Sequence, residues 1–395
     1  MFTRRTFTGL VAVTAAAAGS ARAAQRGRRA EVQALRQFAE ATHPEGARAA
    51  QDSAWRELAH SLERRANSMD EATYVVETLR LLSWFQDGHS GVYIPIVQTG
   101  PWALRLPLGR EVFYDGVYIT RAKDEALPLL GGRVTRVANV PIEQLIQRFA
   151  TIWPASSPAG AHYWATLLLS SPGFLHGLGI VDGAADTPIT IECAFADGRT
   201  VSSTVRPRSD GARDRQSLSR DLSELAQFAA TQNYDPQARP AEDGRNFVWR
   251  RGNVLYVSLD RMSDDDYGKP FAVFQEELCA ALERPDGAER LIIDLRRNGG
   301  GDNMLCEPAR RRIAHSQFNR PGGLYVLIAP HTFSAAQNLA SRLERETFAV
   351  FVGEPSGGAP NHFGDARRFA ESDTATPASV STVRWMDSSP FDQRR

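Results

Sequence analysis

From residue 30 to residue 86, apolar positions return at helical spacing. Val32, Leu35 and Phe38 form one stripe, Trp55, Leu58 and Leu62 a second, and Tyr74, Val75, Leu79, Leu82 and Phe85 a third. The spacing predicts a small helical bundle. Ser68-Met69-Asp70-Glu71 reads as a capping box ahead of the third stripe, and Asp87-Gly88 as its stop. His89 follows in the exit loop, before a strand-like run at 92–96.

The pattern then changes. Between 97 and 206 turn signals are frequent and apolar runs short: 113–119 reads as a hairpin around Asp115-Gly116, 129–138 as a strand leading into a helix at 142–149, and 189–195 with 200–205 as two strands around Asp197-Gly198. A helical patch at 161–169 is inserted among them. Residues 207–246, rich in Arg, Asp, Ser and Pro, read as a linker with one helical patch at Leu222, Leu225 and Phe228. After it, runs at 254–259, 291–295, 324–329 and 348–352 alternate with helical patterns at 271–282 and 335–346. That alternation predicts a parallel sheet covered on both faces. The expected organisation is therefore α/β: a helical domain at 25–90, a β-rich accessory domain at 91–206, a linker, and an α/β core at 247–395.

Residues 1–24 stand apart. Thr3-Arg4-Arg5-Thr6-Phe7, the weakly apolar stretch from Gly9 to Gly19 and Ala21-Arg22-Ala23 have the form of a twin-arginine export signal with a small-x-small cleavage site. Export in folded form, to the periplasm or beyond, is the expectation, with no membrane attachment once the signal is cleaved. The 395 residues carry 46 Lys+Arg against 46 Asp+Glu, a balance that points to neither nucleic acid nor an anionic membrane as partner. The three cysteines, Cys193, Cys279 and Cys306, cannot complete a disulfide framework. The eight histidines lack metal-binding spacing, so neither a catalytic metal nor a cofactor is expected.

Two strand-then-turn units hold the candidate chemistry. Leu291-Ile292-Ile293-Asp294-Leu295-Arg296-Arg297-Asn298-Gly299-Gly300-Gly301-Asp302 carries a buried-type run into a glycine triplet, where backbone can approach a ligand. In the second, Thr332-Phe333-Ser334-Ala335-Ala336 opens a helix, setting Ser334 where free N–H groups and the helix dipole favour negative charge. An acyl-transfer nucleophile would be useful there, although serine also favours that position as an ordinary helix cap. Backbone N–H groups of Gly300, Gly301 and Ala335 could converge on a carbonyl oxygen as an oxyanion hole. Asp294 and Arg296 suit a structural pair, and Asp302 a helix cap.

These motifs, with Val352-Gly353-Glu354-Pro355-Ser356-Gly357-Gly358 after them, resemble the tail-specific (C-terminal processing) peptidases, a superfamily that includes the tricorn core protease and the interphotoreceptor retinoid-binding proteins. The match is strongest over 250–370. It implies a core of crotonase-like ββα type, a PDZ-like accessory module, a peptide or protein substrate, and Ser334 at the nucleophile position. Most of the superfamily supplies a lysine where this chain has Ala359, and no lysine follows Lys269. The base must be another group, and histidine titrates near neutrality. Phe85-Gln86-Asp87-Gly88-His89 resembles the Asp-x-His element of the tricorn-like branch, which makes His89 the leading candidate, with His331 and His362 as rivals. That branch has a serine where Gly88 stands. Asp387 and Asp392 are candidates for the acid that orients the base. The expectation is an exported serine peptidase; a non-catalytic binding protein of the same fold, or an esterase using the same serine, are the alternatives.

Overall fold

The computed structural model describes residues 27–92, 102–113, 115–209, 246–264, 270–369 and 378–388. The export signal, most of the linker with its helical patch, most of the 92–96 run and Asp392 lie outside the described residues. What is described is a mixed α/β protein in two compact units, one drawn from within 27–154, 164–209 and 363–384, the other from within 155–163, 246–362 and 385–388. Among the described residues, no helix is long and apolar enough to cross a membrane.

In the first unit, α1 (Gly27–Thr42), α2 (Ser53–Arg65) and α3 (Glu71–Leu82) carry the predicted stripes, with Val32, Leu35, Trp55, Leu62, Tyr74, Val75, Leu79 and Leu82 buried and Phe38 and Leu58 half-buried. The start of α3 differs from the capping-box reading. Asp70, not Ser68, is the cap, accepting from Thr73 N at 2.9 Å. The stop differs too: α3 ends at Leu82, a 3₁₀ turn covers Ser83–Phe85, and the left-handed residue is Gln86 (φ 51°), not Gly88. Gln86 holds that conformation by donating from both its backbone N and its Nε2 to Ser83 O.

An antiparallel sheet follows in the order β1 (Leu108–Phe113), β2 (Gly116–Ala122), β3 (Arg133–Val137), β4 (Ile189–Ala194) and β5 (Thr200–Val205), with α4 (Ile142–Ala150) after β3. The hairpins at Asp115-Gly116 and Asp197-Gly198 form as their turn residues require. The helical and β-rich segments read as separate domains share one hydrophobic core, in which Trp55, Leu79, Ile119, Leu145 and Ile191 are all buried, so they make one unit rather than two. Residues 378–380 of the C-terminal region also join it, pairing antiparallel with Gly91-Val92.

Helix α5 (Pro158–Leu168) starts in the second unit and ends in the first. The second unit is built on a sheet ordered β10 (Val350–Gly353), β9 (Leu324–Ile328), β8 (Arg290–Asp294), β7 (Val254–Ser258), β6 (Phe247–Arg251). The pairs β7–β8, β8–β9 and β9–β10 are parallel, and β6 adds an antiparallel edge. Helices α6 (Phe271–Glu283), α7 (Glu307–Ala314) and α8 (Ala335–Glu346) fill the crossovers. Leu291, Ile293, Leu324 and Val326 are buried with Leu255 and Leu339 in a second core. Parallel strands end on one edge of a sheet, and the turns after β8 and β9 carry the glycine triplet and Ser334.

Candidate active site

Ser334 is the residue just before α8. Its backbone stands at φ 55° and ψ −126°, and its side chain makes no capping hydrogen bond to the helix. An N-cap serine has extended backbone and bonds the first turn with its hydroxyl; Ser334 does neither. Positive φ in a non-glycine residue costs about 1–3 kcal/mol and persists only where the surroundings enforce it. Here they do. Thr332 Oγ1 donates to Leu295 O (2.9 Å) and accepts from Ala329 N (3.0 Å), and Phe333 N donates to Asn298 O (3.1 Å). These bonds staple the turn after β9 to the turn after β8.

The glycine triplet lies against this turn. A Cβ on Gly300 would fall 2.6 Å from Ser334 Cβ and 3.1 Å from Ala335 N, and φ at Gly300 is +113°. Only glycine fits there. The buried Asn298 shapes the loop, its Nδ2 donating to Leu259 O and its Oδ1 accepting from Gly300 N, both at 2.8 Å. The Gly300 N–H expected to face a substrate oxygen is therefore engaged by Asn298, and Gly300 contributes close approach instead of a donor. Asn298 and Thr332 were visible in the sequence as motif residues, but nothing in their spacing announced that they tie two turns together.

Asp294, Arg296 and Asp302 take the structural roles expected of them. Arg296 Nη2 and Nε donate to the Asp294 carboxylate at 2.8 and 3.0 Å, and the Tyr256 hydroxyl donates to it as well. Asp302 accepts from Met304 N at 2.8 Å, capping a short 3₁₀ turn before α7. Of the rival bases, His331 Nδ1 meets the Tyr163 hydroxyl at 2.5 Å and His362 Nδ1 meets Ala359 O at 2.9 Å. The Cys193 and Cys306 thiols are pushed up to about 12 by burial, which leaves them without nucleophilic character at neutral pH.

In the first unit, His89 belongs to a turn organised by Asp87. The Asp87 carboxylate is buried and accepts from His89 N (2.9 Å), Ser90 Oγ (2.6 Å) and Ser381 Oγ (2.5 Å). His89 Nδ1 lies 3.7 Å from Asp87 Oδ1. On the other side His43, stacked on Phe85, brings Nε2 to 3.5 Å from Oδ2, the reach of an ion pair and long for a hydrogen bond. Burial alone would raise the carboxyl pKa; the approach of His43 and His89, with the Ser381 hydroxyl, outweighs it and holds the group well below the usual carboxylate range. Asp87 is thus an anion beside the imidazole of His89. Asp387, a candidate for that orienting role, is paired elsewhere: Arg342 Nε donates to its Oδ1 at 3.2 Å and Arg345 Nη1 to its backbone O at 2.8 Å.

No family model matches the chain, and no curated protein matches it. Among solved structures, mature CPAF complexed with lactacystin is similar over 90% of this chain and 89% of its own, at 13% identity and a TM-score of 0.59. The photosystem II D1 C-terminal processing protease (14% identity, 90% and 87% covered) and the tricorn protease (12%, 89% and 31%) give TM-scores of 0.39 and 0.34. The fold is that of mature CPAF.

Proposed function

We propose that the protein is an exported serine peptidase that cleaves peptide bonds through a Ser334 nucleophile and a His89 base, with no cofactor. The observation that carries this reading is the Ser334 backbone: a serine at φ 55°, without a capping bond, at a helix N-terminus against a glycine. That conformation serves no cap, and strain of this kind persists where it presents a side chain for chemistry. The CPAF-like fold and the superfamily motifs support the substrate class. In this reading His89 takes the Ser334 proton as Oγ attacks the scissile carbonyl, then returns it to the leaving amine. The Asp87 carboxylate beside Nδ1 orients the ring and stabilises the imidazolium. The N–H groups of Gly301 and Ala335, at the start of α8, receive the developing oxyanion.

A fluorophosphonate probe tests the assignment. Wild-type protein should be labelled at Ser334 and should hydrolyse unstructured peptides. Ser334→Ala should lose both, and His89→Ala should fall by several powers of ten with an unchanged melting temperature. Peptide hydrolysis at the wild-type rate by Ser334→Ala overturns the nucleophile. A folded wild-type protein inert to probe and peptide moves the reading to a binding protein, and activity on acetyl esters alone moves it to an esterase. For export, replacing Arg4 and Arg5 by lysine should leave the precursor unprocessed.

A further inference from the structure

The chain at 155–163 belongs to the second unit, whereas the residues on either side of it belong to the first. It is fixed there by specific contacts. Ser157 Oγ donates to Ser356 O (2.8 Å), Ser156 Oγ accepts from Ala359 N (3.2 Å), and a Cβ on Gly160 would collide with Gly357 O at 2.1 Å. The glycine turn it grips is in turn pressed on the Ser334 loop: a Cβ on Gly357 would meet Pro330 O at 2.1 Å, and Gly358 N donates to Thr332 O (3.1 Å).

The same segment ends at Tyr163. Its hydroxyl reaches His331 Nδ1, and the two rings meet edge to face with centroids 5.3 Å apart. The opposite ring nitrogen, Nε2, faces Gly299, where a Cβ would stand 3.1 Å away. His331 is therefore wedged between Tyr163 and the first glycine of the triplet, three residues before Ser334. Burial lowers its pKa, opposed in part by the Asp260 carboxylate, which favours the neutral ring; in its Nε2–H tautomer Nδ1 accepts the phenol hydrogen bond.

The geometry points to Tyr163 as a positioning residue for the Ser334 turn, acting through His331, with 155–163 as the clamp that delivers it. The inference rests on Ser334 being the nucleophile. It answers a physical question: a strained serine needs contacts that over-determine it, and this wedge supplies one that a side-chain hydroxyl can switch off.

Tyr163→Phe in the full-length protein removes the hydroxyl and keeps the ring. We expect fluorophosphonate labelling of Ser334 to slow roughly 10- to 100-fold in its chemical step with probe affinity unchanged, as small misplacements of a reacting group do. Deuterium exchange in peptides covering 329–338 should quicken, with the melting temperature close to wild type. His331→Asn, which keeps an acceptor near the position of Nδ1, should retain most of the labelling rate; His331→Leu should not. Wild-type exchange over 329–338 together with wild-type labelling in Tyr163→Phe would overturn the inference. So would a His331→Asn protein as dead as Ser334→Ala, since His331 would then be the base. If wild-type protein is not labelled at all, the nucleophile reading fails, and the exchange result alone still decides whether Tyr163 holds the turn.

Discussion

The Ser334 turn and the His89 turn are built by opposite means. Around Ser334 the fold works with backbone: a residue forced to positive φ, a glycine within touching distance and carbonyls bonded across two adjacent sheet turns. Around His89 it works with side chains, gathering three hydrogen-bond donors and a second histidine on one buried carboxylate. A backbone device fails when a Cβ is added, a carboxylate device when its charge is removed. The difference makes the two halves separable by mutation.

The largest effect is expected at Ser334 itself. Ser334→Gly should abolish labelling and hydrolysis as Ser334→Ala does, yet be the more stable of the two by about 1 kcal/mol, because glycine alone adopts φ 55° without strain. Equal melting temperatures for the two variants, measured side by side, would remove the strain argument. Next comes Gly300→Ala, which places a methyl group 2.6 Å from Ser334 Cβ. Activity should fall more than about 100-fold with about 2 kcal/mol of stability lost, read by peptide turnover and chemical denaturation.

Asp87→Asn is smaller and of another kind. It keeps the shape and removes the charge, so turnover should drop roughly 10²–10⁴-fold while the Ser334 turn keeps its wild-type deuterium exchange. Its stability signature depends on pH. Because the folded pKa is depressed, the stability Asp87 contributes is complete above its unfolded value of about 3.9 and drains away as pH falls toward the folded one. Wild-type denaturation midpoints should therefore drop below about pH 4 by an amount that Asp87→Asn lacks. The smallest effect on activity is expected at Asp387, which is paired with Arg342: Asp387→Asn should stay within about twofold in activity while losing roughly 1–3 kcal/mol of stability, because the pair is largely buried. A loss as deep as that of Asp87→Asn would return the orienting role to Asp387.

The same contrast governs what could be read from the chain. The Leu291 and Leu324 strands, the glycine triplet and the serine at a helix start were legible because a buried strand followed by a tight turn constrains consecutive residues. That β8 and β9 are parallel neighbours followed from helices between strands. Asp87 is legible as part of the Asp-x-His element, but not as the carboxylate beside the ring, because that role comes from His43 and Ser381, which no local pattern links to it. The sequence around 370–380 reads as small and unpatterned; in the structure Ala378 and Val380 are buried beside the His89 turn and Ser381 is the donor its carboxylate needs. Tyr163 was likewise hidden inside what reads as an accessory-domain helix.

Ser381 has a consequence in time. It stands 294 residues beyond the Asp87 it bonds, and at about 5–20 residues per second a ribosome needs roughly 15–60 s to cover that distance. Throughout that interval the helices around His89 can form, but the carboxylate lacks one of its three hydroxyl and amide donors, and the strand partner of Gly91-Val92 has not been made. A nascent chain with Ser334 already synthesised would still carry an unfinished His89 turn. On the proposed reading, the Ser334 turn can therefore be in place while the Asp87 carboxylate beside His89 still waits for residue 381.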